Sequence, residues 1–467
     1  MRDRLAFRPA GSNLFTLNLE TRRIGKTTSI MSRFTKSRIK AMRSVKAIIV
    51  AAIAGWLSAS SGAIAADGHS FVLEVLWSTP IAANYSPSRP AGTPYNPGPE
   101  PGPIFEAQAM QPDGRIIFFG SRIVAGKRDM AVFADAEHIP SDNAIILALN
   151  GAHPLNLHLV SRLVGSGPRP LTLVAGRSGE IWMAGGSNSY MDFASGEHRD
   201  AYLAKIDATG KTIWEKAYGN GGWRQILSVA SLPAGEVAVA GEDAGAGWLA
   251  RIGADGGQLW ERRLGIAKRT VVASLPGNRL IVTGFEATGS SSTGDYQEHI
   301  AAWIVGGSGE ILGQTRIRDA INTVSGFHYG HVSVATTSDA IYIISNWTGF
   351  PHAQPIEISK LDFNGKLLWT TPLPDNYAKW PATLAVSAGG DALVTFALDN
   401  RIHLYQFEQS SGSYRESELS MPDCSNGYSV TLFLAVRNDG TMILSGSPPE
   451  LNTEPRCTWV GQLTEVH

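Results

Sequence analysis

Short apolar runs, punctuated by Gly, Asp, Asn and Ser, fill the chain from residue 106 to its end. The pattern is sharpest around Asp207–Gly210, where "AYLAKI" leads in and "KTIWEKA" leads out with apolar and polar residues alternating. Period-two alternation turns one strand face toward a core, and Asp and Gly are favoured at the first and fourth places of a type I turn. The segment therefore predicts a β-hairpin. No stretch after residue 66 sustains the 3.6-residue period of an amphipathic helix.

The hairpin recurs. "IDATGKTIW" (206–214) returns as "IGADGGQLW" (252–260) and "LDFNGKLLW" (361–369), while "VGGSGEILG" (305–313) keeps the central Gly and lacks the Trp. A second phrase, such as "ILSVASLPAGEVAVAGE", is a strand, a turn and a strand ending in small residues. It occurs seven times, with turn positions at Gly114, Gly179, Gly235, Asn278, Asp339, Gly390 and Gly440, spaced 43 to 65 residues apart. Two hairpins per unit make four strands. The expected fold is all-β: a seven-bladed β-propeller of four-stranded antiparallel blades. Trp214, Trp260 and Trp369 are expected to pack against the neighbouring blade.

The seventh unit stops after a third strand, "CTWVGQLT" (457–464). "SFVLEVLWSTP" (70–80) resembles the outer strand "KLLWTTP" (366–372), so an N-terminal strand is expected to complete the last blade and remove an exposed edge. Eight prolines from Pro80 to Pro103 mark an extended connector. The expected organisation is a leader over residues 1–65, closing strand and connector over 66–103, and propeller over 104–467.

Charge changes the picture at the N-terminus. Residues 1–46 carry twelve Lys or Arg against Asp3 and Glu20, which leaves a net −11 on the remainder of a chain whose total is −1. A body that acidic disfavours nucleic acid, whose phosphates require clustered cations. The basic segment runs into "AIIVAAIAGWLSASSGAIAADG", in which the apolar run Ala47–Leu57, too short to span a bilayer, is followed by small residues and Ala63-Ile64-Ala65. This is the layout of a signal peptide, with cleavage expected after Ala65 and a periplasmic or secreted product. Met1, Met31 and Met42 are alternative starts. The two cysteines, Cys424 and Cys457, both lie in the exported part and in the closing blade. An oxidising compartment favours a disulfide between them, with two buried free thiols as the alternative. Such a loop closure contributes about 4 kcal/mol on the chain-entropy model.

The hairpin phrase resembles the quinoprotein-like (PQQ-like) propeller repeat, whose pattern is roughly D-A-x-T-G-K-x-x-W. Asp207, Ala208, Thr209, Gly210, Lys211 and Trp214 match it, with one residue fewer before the Thr. The resemblance covers residues 70–467 in architecture. Quinone dehydrogenases of that group usually have eight blades, a calcium beside the quinone and often a vicinal disulfide. Here the units number seven, the cysteines are not adjacent and no C-x-x-C-H is present. The resemblance thus implies a divergent or non-catalytic member, with no PQQ and calcium expected.

Candidate chemistry sits where propeller ligands bind, at the loops entering each innermost strand. Cations precede those strands at Arg169, Arg224, Lys268, Arg269 and Lys379, with Trp223, Tyr329, Tyr377 and Trp380 among them. Cations converging in an acidic body create a local anion site, and aromatic faces stack on sugar rings. The competing reading is solvated loop charges and blade-packing aromatics. His328 and His331 join these ligand-binding candidates; with His299 they are the imidazoles a metal would use, but nothing in their spacing makes them converge, and no metal is expected. Glu106, Glu242 and Asp375 are the acids placed for glycan chemistry.

Other motifs fail. Gly210-Lys211-Thr212 looks like the tail of a phosphate loop, but Lys205 stands where that loop needs Gly. Gly245, Gly247 and Ala250 fit G-x-G-x-x-A, but a turn and not a helix follows. The sequence therefore predicts an exported, monomeric binding propeller that takes an anionic or carbohydrate-like molecule, or a protein partner, at its mouth. A glycan-acting hydrolase or lyase and a PQQ-dependent oxidoreductase are the alternatives.

Overall fold

The computed structural model describes residues 70–81, 104–110, 112, 116–124, 127–135, 157–163, 169–186, 200–207, 212–219, 223–265, 267–288, 297–322, 330–347, 354–374, 382–422, 430–447 and 456–466. Strand β1 (Ser70–Ile81) precedes six blades formed by consecutive strands. Blade 1 is β2 (Ile104–Met110), β3 (Ile116–Val124), β4 (Lys127–Asp135) and β5 (Leu157–Leu163). Blade 2 is β6 (Arg169–Ala175), β7 (Ile181–Gly186), β8 (Ala201–Ile206) and β9 (Thr212–Tyr218). Blade 3 is β10 (Arg224–Ser231), β11 (Val237–Asp243), β12 (Ala246–Ile252) and β13 (Gln258–Arg263). Blade 4 is β14 (Ala267–Leu275), β15 (Arg279–Thr288), β16 (Gln297–Val305) and β17 (Ile311–Asn322). Blade 5 is β18 (Gly330–Thr336), β19 (Ile341–Trp347), β20 (Gln354–Leu361) and β21 (Leu367–Pro372). Blade 6 is β22 (Thr383–Val386), β23 (Ala392–Leu398), β24 (Arg401–Phe407) and β25 (Tyr414–Ser420).

Blade 7 joins the two ends of the chain: β26 (Thr431–Val436), β27 (Met442–Ser447), β28 (Arg456–Val466) and then β1 as the outer strand. The β1–β28 register runs from Ser70 opposite Val466 to Ile81 opposite Arg456. Phe71 is buried in the cluster between blades 6 and 7, beside Leu432, Leu444 and Leu463. The inner strands β2, β6, β10, β14, β18, β22 and β26 are successive neighbours, and β26 lies beside β2, so the ring closes. The chain is a seven-bladed β-propeller closed by its N-terminal strand. Among the described residues, no helix is long and apolar enough to cross a membrane.

The core is layered between blades. Each second strand is covered on both faces, which is why "IWMAGG" in β7 is buried at every position and reads as a continuous apolar run. Outer strands alternate instead, as β21 does. One layer packs Ala238, Ala240 and Leu249 of blade 3 against Val272, Val282 and Trp303 of blade 4. Burying each Val or Leu of this layer contributes roughly 1.5–3 kcal/mol, and each Ala less.

The repeated Trp ties neighbouring blades. The indole N–H groups of Trp214, Trp260 and Trp369 donate to the carbonyls of Ala254, Gly307 and Gln409 at 3.0, 2.9 and 3.1 Å, each in the next blade's outer hairpin turn. The repeated Gly makes room for this docking. A Cβ on Gly309 would lie 2.9 Å from the Trp260 ring, and one on Gly412 2.7 Å from the Trp369 ring. In the copy without Trp, Gly313 stands in its place and Thr315 Oγ1 reaches the Gly365 carbonyl at 2.5 Å.

A further periodicity appears only in the packed blade. Tyr202, Trp248 and His403 on third strands bond to Glu215, Glu261 and Glu416 on fourth strands, thirteen residues later in each case.

Candidate functional site

The inner strands of blades 1 to 4 do not pair evenly with their second strands. The register slips between Phe105 and Ala107, Pro170 and Thr172, Ile226 and Ser228, and Lys268 and Val271, at or near the end where each inner strand begins. The inner strands of blades 5, 6 and 7 pair without a shift. A glycine of the second strand lies at each slip, although Gly446 of β27 faces Leu432 without one. Gly120, Gly185 and Gly241 face Phe105, Pro170 and Ile226. A Cβ on Gly241 would collide with the Gln225 carbonyl oxygen, and one on Gly284 would lie 2.9 Å from that of Lys268. Bulges bend a strand and re-aim its side chains, and they are common beside functional sites. Four of the seven inner strands therefore begin differently from the other three.

Arg269 lies in the blade 4 bulge. Its φ of 51° is left-handed, a region a side chain with a Cβ enters at a cost of about 1–2 kcal/mol. Glu242 of blade 3 holds this conformation by accepting the Arg269 backbone N–H on Oε1 at 2.8 Å. Next to it, Thr270 Oγ1 donates to the Gly241 carbonyl at 2.5 Å. The Arg269 side chain is exposed. Its charge acts on His331, the second residue of β18 in blade 5, whose backbone N–H donates to Asn346 Oδ1 at 2.9 Å. Burial, and then the Arg269 guanidinium, push the His331 imidazole down to about 4. It is thus neutral at neutral pH and both donates and accepts hydrogen bonds.

Arg224, at the start of β10, is engaged inside its own blade. Its guanidinium bonds Asp243 Oδ2 at 2.9 Å and Glu261 Oε2 at 3.2 Å and lies 4.5 Å over the Trp248 ring centroid. Asp243, fully buried, also takes Arg263 at 2.7 Å. This network stiffens the blade 3 wall of the mouth. Lys268 Nζ lies 3.7 Å from Glu298 Oε1, and Glu298 is buried. Trp223 precedes β10, accepts the Ala244 N–H on its carbonyl at 2.7 Å and has a buried indole Nε1 with no acceptor among the described residues.

Of the residues singled out from sequence, Trp223, Arg224, Lys268, Arg269 and His331 thus come together at one end of blades 3, 4 and 5. Arg169 opens β6 of blade 2, opposite Gly186, and Glu106 occupies the bulge of blade 1. His328, Tyr329, Asp375, Tyr377, Lys379, Trp380 and Cys424 lie outside the described residues; Cys457 is in β28 opposite Pro80. His299 is buried within blade 4, where its Nε2 meets Glu286 Oε2 at 2.6 Å. Among the described residues, no group of three or more His, Cys, Asp or Glu is gathered to hold a metal ion. The sequence reading missed Asp243, Glu261, Glu298 and Asn346.

No family model matches the chain. No curated protein matches it. Solved β-propeller structures are similar to it in fold. The Pan2 WD40 domain of Neurospora crassa is 11% identical, with 84% of this chain and 95% of that one covered and a TM-score of 0.46. An α-L-arabinofuranosidase of Fusarium graminearum bound to an iminosugar inhibitor is 9% identical, with 85% and 97% covered and a TM-score of 0.46. A PL25 polysaccharide lyase, an ulvan lyase, is 11% identical, with 78% and 94% covered and a TM-score of 0.45.

Proposed function

We propose that this protein is an exported ligand-binding propeller whose site is the mouth formed by blades 3, 4 and 5, and whose ligand is anionic or carbohydrate-like. One observation carries the reading: Arg269, exposed and left-handed, is held by a carboxylate from one neighbouring blade, and its charge acts on the His331 imidazole of the other. Strained backbone on a non-glycine residue persists where surrounding structure over-determines it, and such residues cluster at binding sites. Trp223 supplies an aromatic group at the same rim. A thermal-shift screen of the mature chain against a panel of oligosaccharides and small organic anions tests this. Ligands should raise the melting temperature of the wild type and not of Arg269→Ala. A panel with no stabilising member, or stabilisation untouched by Arg269→Ala, removes the mouth as the site.

A second reading has a specific observation behind it. Glu242, Arg269 and His331, on three successive blades, are a carboxylate, a guanidinium and a neutral imidazole, the groups a glycan hydrolase or lyase employs. Release of reducing ends from a polysaccharide panel, lost in both Glu242→Gln and His331→Asn, would favour it. The export reading rests on the basic leader and Ala63-Ile64-Ala65. Intact mass of the exported chain tests cleavage after Ala65 and, from the two-hydrogen deficit, the Cys424–Cys457 bridge.

A further inference from the structure

A cleft lies on the face opposite the mouth, between the turn joining β18 to β19 in blade 5 and the turn joining β22 to β23 in blade 6. Its volume is about 540 Å³, and residues 336–339, residues 386–390 and Gln409 line it. That size falls within the roughly 300–1,000 Å³ of small-molecule sites. The turns fix their own side chains. Thr337 Oγ1 donates to Asp339 Oδ1 at 2.7 Å and accepts the Ala340 N–H at 2.9 Å. Ser387 Oγ accepts the Asp391 N–H at 3.0 Å. Gln409 Nε2 donates to the Gly389 carbonyl at 2.6 Å. Gly390, left-handed at φ 92°, leaves room for that amide, with which a Cβ would collide. Asp339 Oδ2 and Gln409 Oε1 remain as acceptors with no bond among the described residues.

The lining selects among ligand classes. Among the described residues no cation lines the cleft, and the Lys360 ammonium of blade 5 is buried and donates to the Gln409 carbonyl at 2.9 Å. The Tyr342 phenol, which donates to the Gly390 carbonyl at 3.2 Å, is pushed up to about 12 by burial and then by the Asp339 and Asp391 carboxylates. The local field is therefore negative, which disfavours phosphate, sulfate or carboxylate ligands. No aromatic ring lines the cleft, so a flat aromatic molecule has nothing to stack on. A single carboxylate is too few for a hard metal ion. Four hydroxyls, one carboxylate and one carboxamide remain, with Val386 and Ala388 as apolar contacts. Hydroxyls and carboxamides both donate and accept, and a carboxylate accepts. A sugar ring meets this set, because its hydroxyls play both roles and its C–H face suits the two small apolar groups. We propose that this cleft binds a neutral saccharide unit, with ring hydroxyls donating to Asp339 and Gln409. The site is separate from the mouth and does not depend on it.

The Val386 and Ala388 methyl groups supply a local readout. The methyl-labelled mature chain is titrated in the magnetic-resonance spectrometer with maltose, cellobiose and N-acetylchitobiose, and separately with sodium glucuronate and calcium chloride. At least one disaccharide should shift both methyl resonances. Asp339→Ala should weaken that disaccharide roughly tenfold or more, the loss of a hydrogen bond to a charged group. Ser338→Tyr should weaken it as much by filling the cleft. Ser338 is exposed, and its hydroxyl has no bond among the described residues to lose, so this variant should unfold at the wild-type temperature. No shift with any of the three disaccharides overturns the proposal, as does a Ser338→Tyr variant that binds like the wild type. Glucuronate or calcium moving the two methyls in place of the disaccharides overturns it in favour of an ion site. Binding lost in Arg269→Ala and kept in Ser338→Tyr puts the sugar at the mouth and overturns it as well.

Discussion

The indole N–H of Trp260 in blade 3 donates to the carbonyl of Gly307 in blade 4 at 2.9 Å, and the same carbonyl accepts Arg251 Nη1 at 3.0 Å. Trp260→Phe should therefore cost only about 1 kcal/mol, because the Gly307 oxygen keeps one donor. Gly309→Ala should cost more, since its φ of 87° and the ring at 2.9 Å both oppose a Cβ. Urea unfolding of the two variants gives the order. A Gly309→Ala variant as stable as wild type would mean that the turn does not hold the ring.

Asp243 is the hinge of the blade 3 wall. Asp243→Ala leaves Arg224 buried with only Glu261 and should destabilise by about 3 kcal/mol. Arg224→Met with Asp243→Leu should cost less than the two single changes added, because the double variant strands no buried charge. Strict additivity in a double-mutant cycle would show that the pair is not coupled.

His331 makes the fold sensitive to acid. Its imidazole is held near 4 in the folded chain and titrates near 6.5 when unfolded, so the unfolded chain binds more protons between those values. Stability contributed by this group is complete above about pH 6.5, falls as pH drops toward 4, and changes no further below it. The loss amounts to at most about 3 kcal/mol. In His331→Asn the stability difference between pH 7 and pH 4 should shrink by that amount. Parallel pH–stability curves for the two proteins would refute the assignment.

Strand β1 closes the ring by pairing with β28 and by burying Phe71. A chain beginning at residue 82 loses Phe71 from the blade 6–7 layer and bares the edge of β28. It should unfold at lower temperature and self-associate on size-exclusion chromatography, and a synthetic 70–81 peptide should reverse both. A truncated chain that stays monomeric with an unchanged melting temperature would show that closure contributes little.

The local pattern alone determined that seven four-stranded units follow one another. Turn chemistry at Gly179, Gly235, Asn278, Gly390 and Gly440 reappears as left-handed residues between the first two strands of their blades. Trp214, Trp260 and Trp369 reach the next blade as expected, because neighbouring repeats must bury each other's faces. The similarity of residues 70–80 to another outer strand disclosed the closing strand before any packing was known. Tertiary structure decided the mouth. Arg224 looked like an open cation beside Trp223, yet its partners lie 19 and 37 residues away in the same blade. Glu242 meets Arg269 from a different blade, 27 residues apart. Such pairings depend on strand register and on where a bulge turns the backbone. A side-chain period of two fixes which face a residue occupies, but not which carboxylate waits across the gap.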